Sequence, residues 1–180
     1  MNANARPIED AYATFSDTDT VRLQRTLPGP IERVWEHLTD ASLRRQWLAG
    51  GDDVQPRAGT SFELVWRNDQ LTDPPGARPE GFGDEHRMQS RVIECDPPHR
   101  LAFTWDGDSD VAIDLEPRGD EVLLTLVHRH LGNRNRVLMH SAGWHVHLDL
   151  LVDRASGRQP EPFWDGWAVA KAAYDARLPA

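Results

Sequence analysis

Of the eight histidines in this chain, five lie between residues 128 and 147. His128-Arg129-His130 ends a segment in which Val122, Leu124 and Leu126 occupy alternate positions. On a strand, alternate residues share a face, so His128 and His130 are expected on the apolar side with those three. His140 and His147 follow seven residues apart in a region of helical period, near one helix face. His145 is two positions from His147, roughly 200° around a helix, and is expected to point outward. His37 and His99 are also expected at the surface. A strand His-x-His pair with a third imidazole could ligate zinc, but no carboxylate or cysteine stands at a matching spacing, so no metal is expected. A histidine in a cavity can also move protons near neutral pH, which makes His128 and His147 the catalytic candidates. The third reading, which the sequence favours, is hydrogen-bonded imidazoles that tune the polarity of a binding cavity.

Other familiar chemistries lack their residues. Ser141 follows His140, but neighbours on a helix diverge and no G-x-S-x-G elbow surrounds the serine. Neither G-x-G-x-x-G nor a Walker lysine loop occurs, so no cofactor is expected. Asp106, Asp108 and Asp110 crowd a turn without the spaced glutamate of a calcium loop. Cys95 is the single cysteine, which excludes an internal disulfide and fits a cytoplasmic protein. Arg25 falls on the face of Val21 and Leu23, and needs either a carboxylate partner or a place at the rim.

The chain has 180 residues with 29 acidic and 20 basic side chains, a net charge of −9 that disfavours nucleic-acid partners. No segment reaches the length of an apolar membrane span. An apolar share of 39% is enough for a sizeable core in one domain. That domain is expected over residues 11–178, after a flexible tail over 1–10.

Residues 12–15 read as a short edge strand and Thr20–Leu27 as a longer one. Pro28-Gly29-Pro30 ends it, with Gly29 as a candidate N-cap and Pro30 at the first helical position. Ile31, Val34, Trp35 and Leu38 make one helical stripe, and Thr39 or Asp40 can cap a second short helix with Leu43, Trp47 and Leu48 inward. From residue 60 the period is two. Phe62, Leu64 and Trp66 share a strand face, a long loop spans 68–84, and four strands follow over 86–95, 100–105, 111–116 and 122–130. Loops of that length are uncommon and often serve as lids or binding loops. After Gly132 a long helix is expected over about 136–155, then a last one over about 162–176. This order is an α+β layout with helices gathered on one face of an antiparallel sheet.

The succession resembles the helix-grip fold of the START-like (SRPBCC) superfamily, in its bacterial subgroup related to the activator of heat-shock-protein ATPase and loosely called polyketide cyclase-like. The resemblance rests on Pro30-Ile31-Glu32-Arg33-Val34-Trp35, Leu43-Arg44-Arg45-Gln46-Trp47, Asp96-Pro97-Pro98-His99-Arg100-Leu101-Ala102-Phe103-Thr104-Trp105, Leu124-Thr125-Leu126-Val127-His128, and Gly143-Trp144 with Leu148 and Leu151. It covers residues 20–155; the 68–84 loop and the last helix look like additions, with Trp164 and Trp167 fastening that helix to the body. It implies a curved sheet wrapped around the long helix with a cavity between them. The implied activity is binding of a small hydrophobic or aromatic ligand. Trp47, Phe62, Leu64, Trp66, Met88, Phe103, Trp105, Leu126, His128, His130, His140, Trp144, His147 and Leu148 would contact it. Two alternatives stand beside this one: a chaperone-regulatory or protein-interaction module, and a cyclase- or hydrolase-like enzyme using the cavity histidines. A homodimer stays open, with no motif that specifies one.

Overall fold

The computed structural model describes residues 11–179; the tail expected over 1–10 lies outside the described residues. Strand β1 (Thr14–Asp17) turns into β2 (Thr20–Pro28), and two helices follow, α1 (Ile31–Thr39) and α2 (Ala41–Arg44). Next come β3 (Gly50–Gly51), β4 (Ser61–Trp66), and the meander β5 (His86–Asp96), β6 (Arg100–Thr104), β7 (Asp110–Arg118) and β8 (Glu121–Arg129). Helices α3 (Arg134–Ala155) and α4 (Phe163–Arg177) complete the chain. All eight strands form one antiparallel sheet in the order β1-β2-β8-β7-β6-β5-β4-β3, with the long helix α3 across it. This is the helix-grip arrangement.

The elements follow their local chemistry. Pro30, rather than Gly29, occupies the position before α1, and its missing N–H removes nothing the first turn could use. The Asp40 carboxylate accepts from the amides of Ser42 and Leu43 and so caps α2. Gly51 has φ +97°, and a Cβ there would collide with the Glu63 carbonyl, so β3 can pair with β4 only through glycine.

Helix α3 is buried on two sides. Leu148 and Leu151 are fully buried, and the helix packs on β2 as well as on α4. Pro162 holds the N-cap position of α4 and has no side-chain group to cap it. The long loop does it instead: the Phe163 amide donates to the Thr72 hydroxyl at 2.9 Å and the Trp164 amide to the Pro75 carbonyl at 2.9 Å. The Trp164 indole donates to Asp69 at 2.6 Å, and Phe82 packs on both Trp164 and Trp167. The two additions are thus one unit, each satisfying the other.

Arg44 is 2% exposed and has no carboxylate in contact among the described residues. Its guanidinium donates to five main-chain carbonyls, those of Leu38, Thr39, Ala49, Gly50 and Asp52, and joins the end of α1 to β3. Burial lowers its pKa to about 10, so it stays charged at neutral pH. Arg44→Met should destabilise the protein by about 3 kcal/mol in urea unfolding. Arg44→Lys should recover only part of that, because an ammonium has three donors where the guanidinium has five.

Candidate functional site

The space between sheet and helix is largely filled by the side chains expected to line it. Trp47, Phe62, Leu64 and Phe103 surround an interior void of only about 10 Å³, and Leu126 and Leu148 are fully buried beside the helix–sheet seam. Met88 stands opposite Leu64 in the β4–β5 register, partly buried. One gap of about 100 Å³ remains, lined by Leu48, Trp66, Trp105, His140, Gly143, Trp144 and His147. Trp105, His140 and Gly143 are partly exposed at its mouth. Five of these seven were expected from the sequence. Leu48 was expected only to face inward, and Gly143 only as part of a family motif.

Gly143 is in mid-helix, where glycine is unfavourable, yet a Cβ built on it meets no atom within 4 Å. The helix therefore leaves open the volume a side chain would take. Around that volume the aromatic rings interlock. Trp105 lies 5.4 Å from Trp66, 5.1 Å from Trp144 and 5.3 Å from His128, centroid to centroid. His128 in turn lies 4.8 Å from His140.

His128 is 0% exposed, between Val21 of β2 and Val111 of β7 in the sheet register. The Trp144 indole N–H donates to its Nδ1 at 3.0 Å. An indole can only donate, so Nδ1 carries the lone pair and the ring's proton is on Nε2. That Nε2 is buried with no hydrogen-bond partner among the described residues. Burial, then the neighbouring His140 and Arg136, push the His128 pKa down to about 2. His147 is arranged the opposite way. Its Nδ1 lies 2.7 Å from the Trp47 carbonyl, which can only accept, so Nδ1 holds the proton and Nε2 the lone pair. Burial lowers its pKa to about 4 despite that bond, and burial likewise lowers His140 to about 4. All three are neutral at pH 7.

Three histidine expectations are corrected. His130 does not join His128, because β8 ends at Arg129 and His130 turns into the left-handed region at φ 61°. Its side chain is 62% exposed and holds Asp110 at 3.0 Å. His145 does not face solvent, since α4 and Tyr12 cover it. Its Nε2 faces Asp149 at 3.2 Å and its Nδ1 the Tyr174 hydroxyl at 2.9 Å. His37 is buried, with Nδ1 2.8 Å from the Arg33 carbonyl. His99 is exposed as expected. Arg25 takes the carboxylate option, 2.7 Å from Asp149.

A larger groove of about 940 Å³ runs outside the grip, between α3 and α4. Several of its ionic groups bind one another, Arg25 and His145 with Asp149 and Arg158 with Asp153, and it adjoins Ala11, where the described residues begin. The small gap is the candidate site because a side chain is missing beside it and three indoles line it.

Sheet and helix together define a START-like helix-grip protein. The family model for activator of Hsp90 ATPase homolog 1-like proteins matches residues 28–155, and the chain belongs to that family. Its fold is similar to the solution structure of a Bordetella parapertussis protein, at 37% identity and TM-score 0.77 over 91% of this chain and 88% of that one. CalU16 from Micromonospora echinospora shares the fold at 22% identity and TM-score 0.63, over 88% of this chain and 87% of that one. DynU16, a protein of the dynemicin biosynthetic locus, does so at 20% identity and TM-score 0.61, over 81% of this chain and 51% of its own. None of the curated proteins matches the chain. Among the described residues no helix is long and apolar enough to cross a membrane.

The buried imidazoles carry a stability signature. They are neutral when folded but free to protonate near pH 6.5 when unfolded, so the unfolded state binds more protons as the pH falls below that value. Stability is complete above pH 6.5 and declines toward pH 4 for His147, and toward pH 2 for His128. Urea unfolding at pH 5 should show a loss of about 2 kcal/mol for each of these two residues relative to pH 7. His147→Asn, which keeps a donor for the Trp47 carbonyl, should flatten the slope by one such share.

Proposed function

We propose that the protein binds a small aromatic or apolar molecule in the gap under α3, among Trp66, Trp105, Trp144 and Leu48, with His140 and His147 as its polar edge. The observation that carries this is Gly143. A helix interior that gives up a side chain against a wall of three indoles keeps room for an apolar guest, and apolar pockets with few polar groups are the usual form of small-molecule sites. Empty apolar cavities of roughly this size are known to take benzene-sized guests.

The other two readings have less behind them. An interaction module calls for a contiguous exposed apolar patch. The large apolar side chains exposed among the described residues are Ile93 on β5 and Val169 on α4, on separate elements. Acid–base catalysis calls for a histidine poised near pH 7 with an orienting carboxylate. His128 and His147 are instead held well below that range, and their bonded partners are an indole and a backbone carbonyl.

The test uses the glycine. Gly143→Ala should raise stability by about 0.5–1 kcal/mol, since alanine favours the helix and its methyl meets nothing. Toluene at ten times its Kd should raise the wild-type Tm by about 3 °C. In Gly143→Leu the side chain occupies the gap, and that shift should vanish while the fold persists. An equal shift in both proteins would place the guest elsewhere.

A further inference from the structure

We infer that a second pocket, between α2, the β3–β4 edge and the last turn of α3, binds the phosphate group of a small phosphate monoester. It holds about 650 Å³ and shares only Leu48 with the gap. Arg45, Arg67 and Arg154 line it, and no aspartate or glutamate does. The chain as a whole carries a net charge of −9, so the pocket is a local reversal of sign that draws an anion.

The arginines are short of counter-charge. Arg67 is paired with Glu85 at 2.6 Å, but neither Arg45 nor Arg154 meets a carboxylate among the described residues. Arg154 donates from one Nη to the Leu71 carbonyl at 2.6 Å, and its Nε is buried without a partner among the described residues. The acidic residues next to this wall in sequence are turned to main-chain amides: Asp40 to Ser42 and Leu43, Asp52 to Glu63, and Asp53 to Ala41. Arg44 adds a positive charge behind the wall, where it donates to the carbonyls of Ala49 and Gly50. A partly buried cation without a counter-charge is costly, and a bound anion removes that cost.

The lining favours a phosphate over a carboxylate. One guanidinium fork satisfies a carboxylate, whereas a phosphate dianion has the charge and the acceptor oxygens for several. Gly50 and Gly51 bring no side chain into the space, and a Cβ on Gly50 would stand only 3.4 Å from the Arg45 Cβ. Leu48, Val65 and Leu71 line the same pocket and give the carbon body of an ester an apolar surface.

Titration calorimetry at low ionic strength, with phenyl phosphate, inorganic phosphate and benzoate as probes, tests this. Phenyl phosphate should bind about tenfold more tightly than either of the others. Arg154→Met should weaken phenyl phosphate about tenfold and Arg45→Met about threefold, while Arg118→Met, on the far hairpin between β7 and β8, should leave it unchanged. Arg45 is exposed and its side chain makes no hydrogen bond among the described residues, so Arg45→Met keeps the fold even where Arg154→Met loses it. Affinity unchanged in both pocket variants, or lowered equally in Arg118→Met, would overturn the site. Benzoate binding as tightly as phenyl phosphate would overturn the choice of phosphate, and inorganic phosphate doing so would overturn the ester. Sedimentation with phosphatidic-acid vesicles, without binding of phenyl phosphate, would overturn the small molecule in favour of a lipid headgroup. Binding of no probe would overturn the inference outright and leave the toluene test of the gap standing.

Discussion

The hydrogen bond from the Trp144 indole to His128 Nδ1 joins helix α3 to the middle of the sheet where no water reaches. Most of the helix–sheet seam is apolar and could slide by small amounts at little cost. This contact cannot, because a buried indole N–H and a buried imidazole nitrogen each lose their partner if the helix shifts. It also sets the chemistry of the interior. By claiming the lone pair of Nδ1, Trp144 decides which nitrogen keeps the proton, and burial keeps the ring from taking a second one. Register, tautomer and charge at the centre of the grip therefore depend on one donor.

Around that point the protein has nearly abolished the cavity that the grip could enclose. Trp47 sits at 0% exposure with its indole N–H on the His37 carbonyl, and its own carbonyl takes the Nδ1 proton of His147. The turn after α2 is thus tied both to α1 and to α3, and the space behind it is closed. What stays open is the end near Trp105 and Gly143, a volume suited to a single ring. The interior of the grip is narrowed here by indoles.

Element types and order were legible because period changes are abrupt in this chain: helical stripes before residue 50, alternation from 60 to 130, helical spacing again afterward. The tryptophans and histidines of the gap were legible in the same way, since a strand face and a helix stripe both point inward. The misses have separate causes. His145 lies on the face of α3 that would be wet if the sheet were its sole neighbour, but α4 packs there, and amphipathic reasoning assigns each helix a single buried side. His130 stands one residue beyond the end of β8, where alternation no longer applies. Arg44 was named only within a family motif; its burial depends on five carbonyls, from the end of α1 and from residues 49–52, that converge on it once the chain has folded back. Gly143 was visible as a residue, but the volume it leaves depends on the strands beneath.

The protonation of one ring governs the centre of the grip, and long-range ¹H–¹⁵N correlation of the histidine side chains reads it directly. His128 should show a protonated Nε2 and an unprotonated Nδ1, unchanged between pH 7 and pH 5. A proton on Nδ1, or a doubly protonated ring at pH 5, would contradict it.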